Sequence, residues 1–368
     1  MPAELYLCST PLHILNSVAI ASGRPENDHH IWLIDQPVVD GNPYFALLNS
    51  WAESPFRSCR ITQGQIKGLK QKLANRRQVF AQIAELINTV RPARVYTGND
   101  RRIEFQYAMH QCAQQHCDAT GIYMDEGTFT YVGRAASTSF SDRVVDNLLK
   151  KLTYGLWWKH PPTIGGSGWI NEVYAAFPEL VHGLLQQKTL IPLQNCYHAN
   201  QAVERFCALL LETFGADAER VRHLDAVLTL PHESIIERLP GYRDAMLGVL
   251  DELCGNGTRV GVKYHPRNSN PDILNAGDQS GTYLIPYRIP FEALLPLLPE
   301  GCIIIGDVSS TLINGRWLRP DAEILSLQND SVANAELFSQ FFTQIGVATL
   351  TPAELLPALR EKTSLAQS

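Results

Sequence analysis

The sequence predicts an α/β protein made of two Rossmann-like domains facing a central cleft. Three observations carry this. Short apolar runs alternate with helical patterns along most of the chain, the rhythm of parallel βα units. The alternation falters over residues 163–200 and then restarts. The chain has 368 residues, 45% of them hydrophobic, which is long for a single core. The expected domains are residues 1–190, residues 191–349, and a C-terminal helix and tail over 350–368.

The elements follow in order. Leu5 to Cys8 is an apolar strand, and Ser9-Thr10-Pro11 opens a helix marked by Ile14, Leu15, Val18 and Ala19. Ser9 and Thr10 stand where a helix N-terminus can seat an anion, or where they serve only as its cap. His30 to Ile34 is a second strand. Residues 64–90 form an amphipathic helix with Leu69, Leu73, Val79, Ile83, Leu86 and Ile87 on one side. Arg94 to Thr97 is a strand ending in Gly98-Asn99-Asp100-Arg101-Arg102, and a helix follows to about His116. Ala119 to Met124 is a strand ending in Asp125-Glu126-Gly127-Thr128.

Residues 142–162 combine an apolar stripe (Val144, Val145, Leu148, Leu149, Leu152) with Lys150, Lys151, Lys159, His160, Tyr154, Trp157 and Trp158. Such a stretch suits either packing inside the first domain or peripheral contact with an anionic membrane surface. In the second half, Glu204 to Phe214 is helical, and strands are expected at 226–230, 259–264, 283–285 and 302–307. A leucine-rich helix is expected over 293–298, a last strand over 323–327, and a terminal helix over 352–362.

Net charge is −6 with no basic block, which argues against a nucleic-acid partner. The eight cysteines are scattered, without Cys-x-x-Cys spacing, and read as buried thiols of a reducing cytoplasm. No signal-peptide pattern and no run of ~20 apolar residues is seen. The expected location is the cytoplasm, with the inner face of its membrane as the site of any peripheral contact.

Three stretches carry chemistry. Asp125 and Glu126 stand at the carboxyl end of a strand, where ligands bind in open α/β sheets, and Gly127 permits a tight turn. A carboxylate there can take a proton from a substrate hydroxyl. Tyr264-His265-Pro266-Arg267 follows another strand, so that His265, helped by Lys263 or Arg267, can offset a phosphate charge. Ser309-Ser310-Thr311 begins a helix, and hydroxyls with free backbone N–H groups make an anion seat or a plain cap. Asn99, in the turn that ends strand 94–97, and Thr128, in the turn after the acid pair, are further ligand-binding candidates.

The ordered set Asp125-Glu126-Gly127, His265-Pro266 and Ser309-Ser310 resembles the motifs of the bacterial sialyltransferases. The opening Cys8-Ser9-Thr10-Pro11-Leu12-His13-Ile14-Leu15-Asn16 is similar to the start of the lipooligosaccharide-sialyltransferase and polysialyltransferase group. The resemblance spans about residues 5–312. It implies a GT-B fold, CMP-sialic acid as donor, a cell-surface glycan as acceptor (lipooligosaccharide, O-antigen or capsule), and inversion without a required metal or other cofactor. By position it implies Asp125 as general base, Glu126 as a supporting residue, His265 at the CMP phosphate, and Ser309 and Ser310 on its oxygens. Glu292 falls where these enzymes place a ribose-binding glutamate; equally, it is a carboxylate suited to a helix's first turn. The order of Asp125 and Glu126 does not by itself say which acid is the base. Two alternatives remain open: another donor, CMP-Kdo or a UDP-sugar, on the same fold, and a non-catalytic sugar-nucleotide or glycan-binding protein.

Overall fold

The computed structural model describes residues 1–64, 66–133, 151, 155–307, 309–328 and 335–366. It divides into two compact units, Met1–Val203 and Glu204–Ser368. Each is a parallel sheet flanked by helices, the α/β GT-B class that the sequence predicts.

Among the described residues the first sheet has seven strands: β1 (Ala3–Cys8), β2 (Asp28–Gln36), β3 (Phe56–Gln63), β4 (Arg94–Thr97), β5 (Thr120–Met124), β6 (Ile170–Ala175) and β7 (Thr189–Pro192). Their spatial order is β3-β2-β1-β4-β5-β6-β7 and every pairing is parallel. The chain winds outward from β1 in one direction, then jumps to β4 and winds the other way. The second sheet repeats the pattern with β8 (Ala226–Thr229), β9 (Val260–Lys263), β10 (Thr282–Ile285), β11 (Ile303–Asp307), β12 (Glu323–Leu327) and β13 (Ala348–Leu350). Its order is β10-β9-β8-β11-β12-β13, again parallel throughout. Each sheet thus has a switch point, between β1 and β4 and between β8 and β11, where loops part and leave a crevice.

The central strands form because their residues suit burial on both faces. β1 is buried at all six positions and β8 and β9 at all four, so they read as unbroken apolar runs. The second core gathers Leu228, Val262 and Ile305 from the sheet, Met246, Val249 and Leu253 from the helix Tyr242–Gly255, and Leu355 and Leu359 from the helix Pro352–Ala366. The terminal helix is therefore part of the second unit's core, where each buried leucine contributes roughly 1.5–3 kcal/mol.

Several expectations shift. β3, β6, β7 and β13 were not foreseen, and β13 rather than β12 forms that edge of the second sheet. A boundary at residue 190 cuts β7, which pairs with β6, and the first unit runs on to Val203. The long helix begins at Leu69, and its Leu73 is 42% exposed; the buried stripe starts at Val79 and continues through Ile83, Leu86 and Ile87. The leucine-rich stretch after Pro290 forms two short 3₁₀ turns, Phe291–Ala293 and Leu295–Leu297, since Pro296 cannot donate an α-helical hydrogen bond.

Val144, Val145, Leu148, Leu149, Lys150, Leu152 and Tyr154 lie outside the described residues. The tryptophans beside them pack inward. Trp158 is 1% exposed, and Trp157 stands edge-on to Phe80 and Tyr107 and stacks on His110. No described helix is long and apolar enough to cross a membrane.

Candidate active site

The acid loop leaves β5 at the first sheet's carboxyl edge. Asp125 is buried, and both of its carboxylate oxygens are engaged. Oδ1 accepts hydrogen bonds from the Gly127 N–H at 2.8 Å and the Thr130 hydroxyl at 2.7 Å. Oδ2 accepts from the Ala176 N–H at 3.0 Å and from the Tyr131 hydroxyl. A carboxylate offers about four lone-pair sites, and all of them are taken. Burial pushes the Asp125 pKa up, against these four hydrogen bonds. Gly127 adopts φ +104°, a conformation that L side chains rarely enter, and this turns its N–H back onto Asp125. Asp125 is therefore the hub that folds the loop and ties β5 to the end of β6. Every lone-pair site of Asp125, the acid expected to be the base, is thus engaged within the chain.

Glu126 differs in each of these respects. Its N–H donates to the Tyr123 hydroxyl at 3.3 Å, which fixes the backbone. Its Oε2 is buried and has no hydrogen-bond partner among the described residues. Burial raises its pKa from 4.5 to about 7; the Arg102 charge and an Asn99 hydrogen bond pull downward, while the charges of Asp100 and Asp125 push upward. A carboxylate with a spare oxygen and a pKa near neutrality is suited to accept a proton. Asn99, a ligand-binding candidate, thus hydrogen-bonds Glu126, and its Oδ1 accepts the Arg101 N–H at 3.0 Å. Thr128 heads the short helix Phe129–Val132 without a side-chain cap bond.

The opening motif braces the same loop from the neighbouring helix Pro11–Ser22. Asn16 donates to the Asp125 carbonyl at 3.2 Å and accepts from the Tyr197 hydroxyl at 2.6 Å. The Ser17 hydroxyl lies 3.8 Å from the Met124 sulfur. Thr10 is the helix N-cap, accepting the His13 N–H at 3.3 Å, so for this residue the cap role holds. The Ser9 N–H donates to His13 Nδ1 at 3.2 Å, and the Ser9 hydroxyl sits 3.3 Å from the same nitrogen.

The second unit holds a separate polar group at the carboxyl ends of β8, β9 and β11. His265 Nδ1 accepts the Arg267 N–H at 3.2 Å, which leaves Nε2 as the proton-bearing nitrogen. Burial, then the charges of Arg267, His232 and Lys263, hold its pKa below the usual imidazole range. With Nδ1 accepting, Nε2–H is the donor that the neutral ring offers. Pro266 and Arg267 are exposed in the turn. Lys263 is buried and donates to the carbonyls of Tyr287 at 3.0 Å and Tyr264 at 3.3 Å; burial lowers its pKa to about 8, while Glu292 acts to raise it. Glu292 accepts from Asn314 at 2.7 Å. Ser309 is the N-cap residue of the helix Ser310–Leu318, yet its side chain makes no cap bond, and Ser310 is exposed. Hydroxyls and first-turn N–H groups remain at that helix start, the composition of an anion seat. Among the described residues no group of three His, Cys, Asp or Glu is placed to hold a metal ion.

The alpha-2,8-polysialyltransferase (POLYST) family model matches residues 61–328, about three quarters of the chain. The chain belongs to that family. It is a glycosyltransferase of the sialyltransferase kind. No curated protein sequence matches it. Among solved structures, the α/β-galactoside α-2,3-sialyltransferase of Photobacterium phosphoreum is similar at TM-score 0.59 and 13% identity, over 96% of this chain and 99% of that one. The 2,6-sialyltransferase of Photobacterium sp. JT-ISH-224, solved with CMP and lactose, gives TM-score 0.53 and 13% identity over 96% and 78%. A putative UDP-N-acetylglucosamine 2-epimerase of Listeria monocytogenes gives TM-score 0.53 and 13% identity over 100% and 88%. At such identities these likenesses concern the fold alone.

The polysialyltransferase match contains all three motifs, Asp125-Glu126-Gly127, His265-Pro266 and Ser309-Ser310, and leaves out Cys8–Asn16. Two residues escaped the sequence reasoning. His232 ends the turn after β8 and stands 5.5 Å from His265, edge to face. Its signal was a histidine after the strand paired with β9. Arg102 lies next to the Asn99 turn and pairs with Asp35; its charge acts on Glu126.

Proposed function

We propose that this polysialyltransferase-family protein transfers sialic acid from CMP-sialic acid to a hydroxyl of a surface glycan, with inversion and without a required metal, and that Glu126 is the general base. What supports the assignment of the base is the buried Glu126 Oε2, without a partner among the described residues and in a carboxyl of pKa about 7, beside an Asp125 whose lone pairs are all occupied. The acceptor oxygen attacks the anomeric carbon as its proton passes to Glu126. The bond from that carbon to the phosphate oxygen breaks, and its electron pair leaves on CMP. Attack opposite the leaving group inverts the centre.

In the second unit, the His265 Nε2–H, the hydroxyls of Ser309 and Ser310 and the N–H groups of their helix start would hold the single phosphate. A phosphate brought beside His265 raises its pKa toward the protonated form, so the residue gains charge as the leaving group does. Lys263, held by its carbonyl partners, would support the seat, and Glu292, clamped by Asn314, would take a ribose hydroxyl. One phosphate requires less charge compensation than a diphosphate, which favours a metal-free reaction. The family's name favours an α2,8 linkage to an acceptor that already ends in sialic acid.

The test is CMP release in EDTA with an α2,8-linked sialic acid trimer, comparing wild type with Glu126→Gln. The variant should lose on the order of 10²–10⁴ in kcat. A Glu126→Gln enzyme that keeps most of its turnover removes Glu126 as the base. Tight UDP binding without CMP binding, read by calorimetry, removes the donor assignment.

A further inference from the structure

His13 is fully buried and its Nε2 has no hydrogen-bond partner among the described residues. The tautomer follows from the other nitrogen. Nδ1 accepts the Ser9 backbone N–H at 3.2 Å, so it carries no proton, and a neutral ring must bear its hydrogen on Nε2. Neutrality holds because burial, aided by the Arg102 charge, lowers the ring's pKa to about 3. The result is a fixed N–H donor left without an acceptor among the described residues, a destabilising arrangement unless something answers it.

Its position is informative. The ring lies against Gly98, in the turn that leaves β4 at the first sheet's switch point; a Cβ on Gly98 would fall 1.9 Å from Nε2. The next residue, Asn99, hydrogen-bonds toward Glu126, and Arg102 acts electrostatically on both His13 and Glu126. One turn farther along the same helix, Asn16 holds the Asp125 carbonyl. Two buried polar atoms of opposite character without a partner among the described residues, a donor and an acceptor, therefore flank the Gly98-Asn99 turn: His13 Nε2–H and Glu126 Oε2.

We propose that His13 binds the acceptor sugar, donating its Nε2–H to the oxygen of the hydroxyl that gives its proton to Glu126. That oxygen has a lone pair for the histidine and a hydrogen for the glutamate, so one hydroxyl answers both atoms. The contact exists in the bound ground state, and the charge the oxygen gains as its proton leaves is drawn into its new bond to carbon, so loss of the contact raises KM more than it lowers kcat. This assignment rests on the transferase reading and adds to it an acceptor-orienting residue in the opening motif.

The experiment uses the full chain with 15N-labelled histidine and the α2,8-linked sialic acid trimer as probe. Saturation with the trimer should shift the His13 Nε2 resonance while the ring stays neutral. His13→Asn keeps an acceptor for the Ser9 N–H but cannot reach the Nε2 position. It should raise the trimer KM roughly 3–10-fold, with kcat within about twofold and melting unchanged. His13→Gln reaches farther and should recover most of the loss. A His13 resonance that does not move while the same sample turns the trimer over overturns the contact and leaves the transferase reading intact. Equal losses in kcat for His13→Asn and His13→Gln, with KM unchanged, also overturn it. An enzyme that neither binds nor turns over the trimer overturns both readings.

Discussion

Removing Arg102 should move the pH at which the enzyme switches on. If Glu126 is the base, kcat/KM rises with pH through an inflection near its pKa of about 7. Arg102 holds that value down, so Arg102→Met should raise the inflection. A close opposite charge shifts a carboxylate by ~1–3 units. Arg102 is 36% exposed on its side chain and is shared with Asp35, which keeps the effect near the lower end, about one unit. At pH 7 a group with a pKa of about 7 is ~50% ionised, and one with a pKa of ~8 is ~9% ionised, so the variant should be roughly fivefold slower. At pH 9 the corresponding fractions are ~99% and ~91%, and the deficit should nearly vanish. The assay is the initial rate of CMP release from pH 5.5 to 9.5 at subsaturating acceptor. A deficit that is the same at every pH, or a wild-type profile without an inflection between pH 6 and 8, would falsify the assignment of Glu126.

Four further outcomes follow. Glu126 has a raised folded pKa, so its ionisation opposes folding: the cost is absent below the unfolded value of 4.5 and complete above about 7. Glu126→Gln should then stabilise the fold at pH 8 by at most about 3 kcal/mol and leave it unchanged at pH 4, as read by urea unfolding. Gly127→Ala meets φ +104° and should cost ~1–3 kcal/mol while disordering the acid loop, with activity falling more than stability; equal loss of both points to simple unfolding. His232→Ala removes a group that lowers the His265 pKa, so an NMR titration of His265 should move upward; an unchanged titration means the two rings are not coupled in solution. At the opposite, amino end of the first sheet, Glu4 is buried and resists a burial effect that alone would raise its pKa. Hydrogen bonds from His29 and Tyr6 and the Arg24 charge bring it to about 2. That stability is present above the unfolded value of 4.5 and is lost as pH falls through 2, so Glu4→Gln should cost about 3 kcal/mol at pH 7 and progressively less toward pH 2.

What the sequence revealed follows from what parallel sheets demand. β1, β4, β5, β8, β9 and β11 are covered on both faces, so each is an apolar run stopped by a turn. β3 is Phe-Arg-Ser-Cys-Arg-Ile-Thr-Gln, an edge strand mostly half-buried or exposed, and a strand that need not be apolar leaves no such run. β7 has only four residues and likewise sits at an edge. The same reasoning separates the two acids. Their position at the end of β5 was legible because a strand, a carboxylate pair and a glycine follow one another in sequence. Their roles were not, because a role depends on which lone pairs are already taken. The groups that take those of Asp125 include Tyr131 and the Ala176 N–H; Ala176 directly follows β6, a strand the sequence had not disclosed. Glu126 is left with a spare oxygen through the absence of such partners among the described residues, and an absence leaves no pattern in a sequence. His13 illustrates the same limit. As a letter in an apolar helix it suggests a satisfied core histidine. Only the Ser9 N–H on one nitrogen and the Gly98 turn against the other reveal a donor waiting for an oxygen.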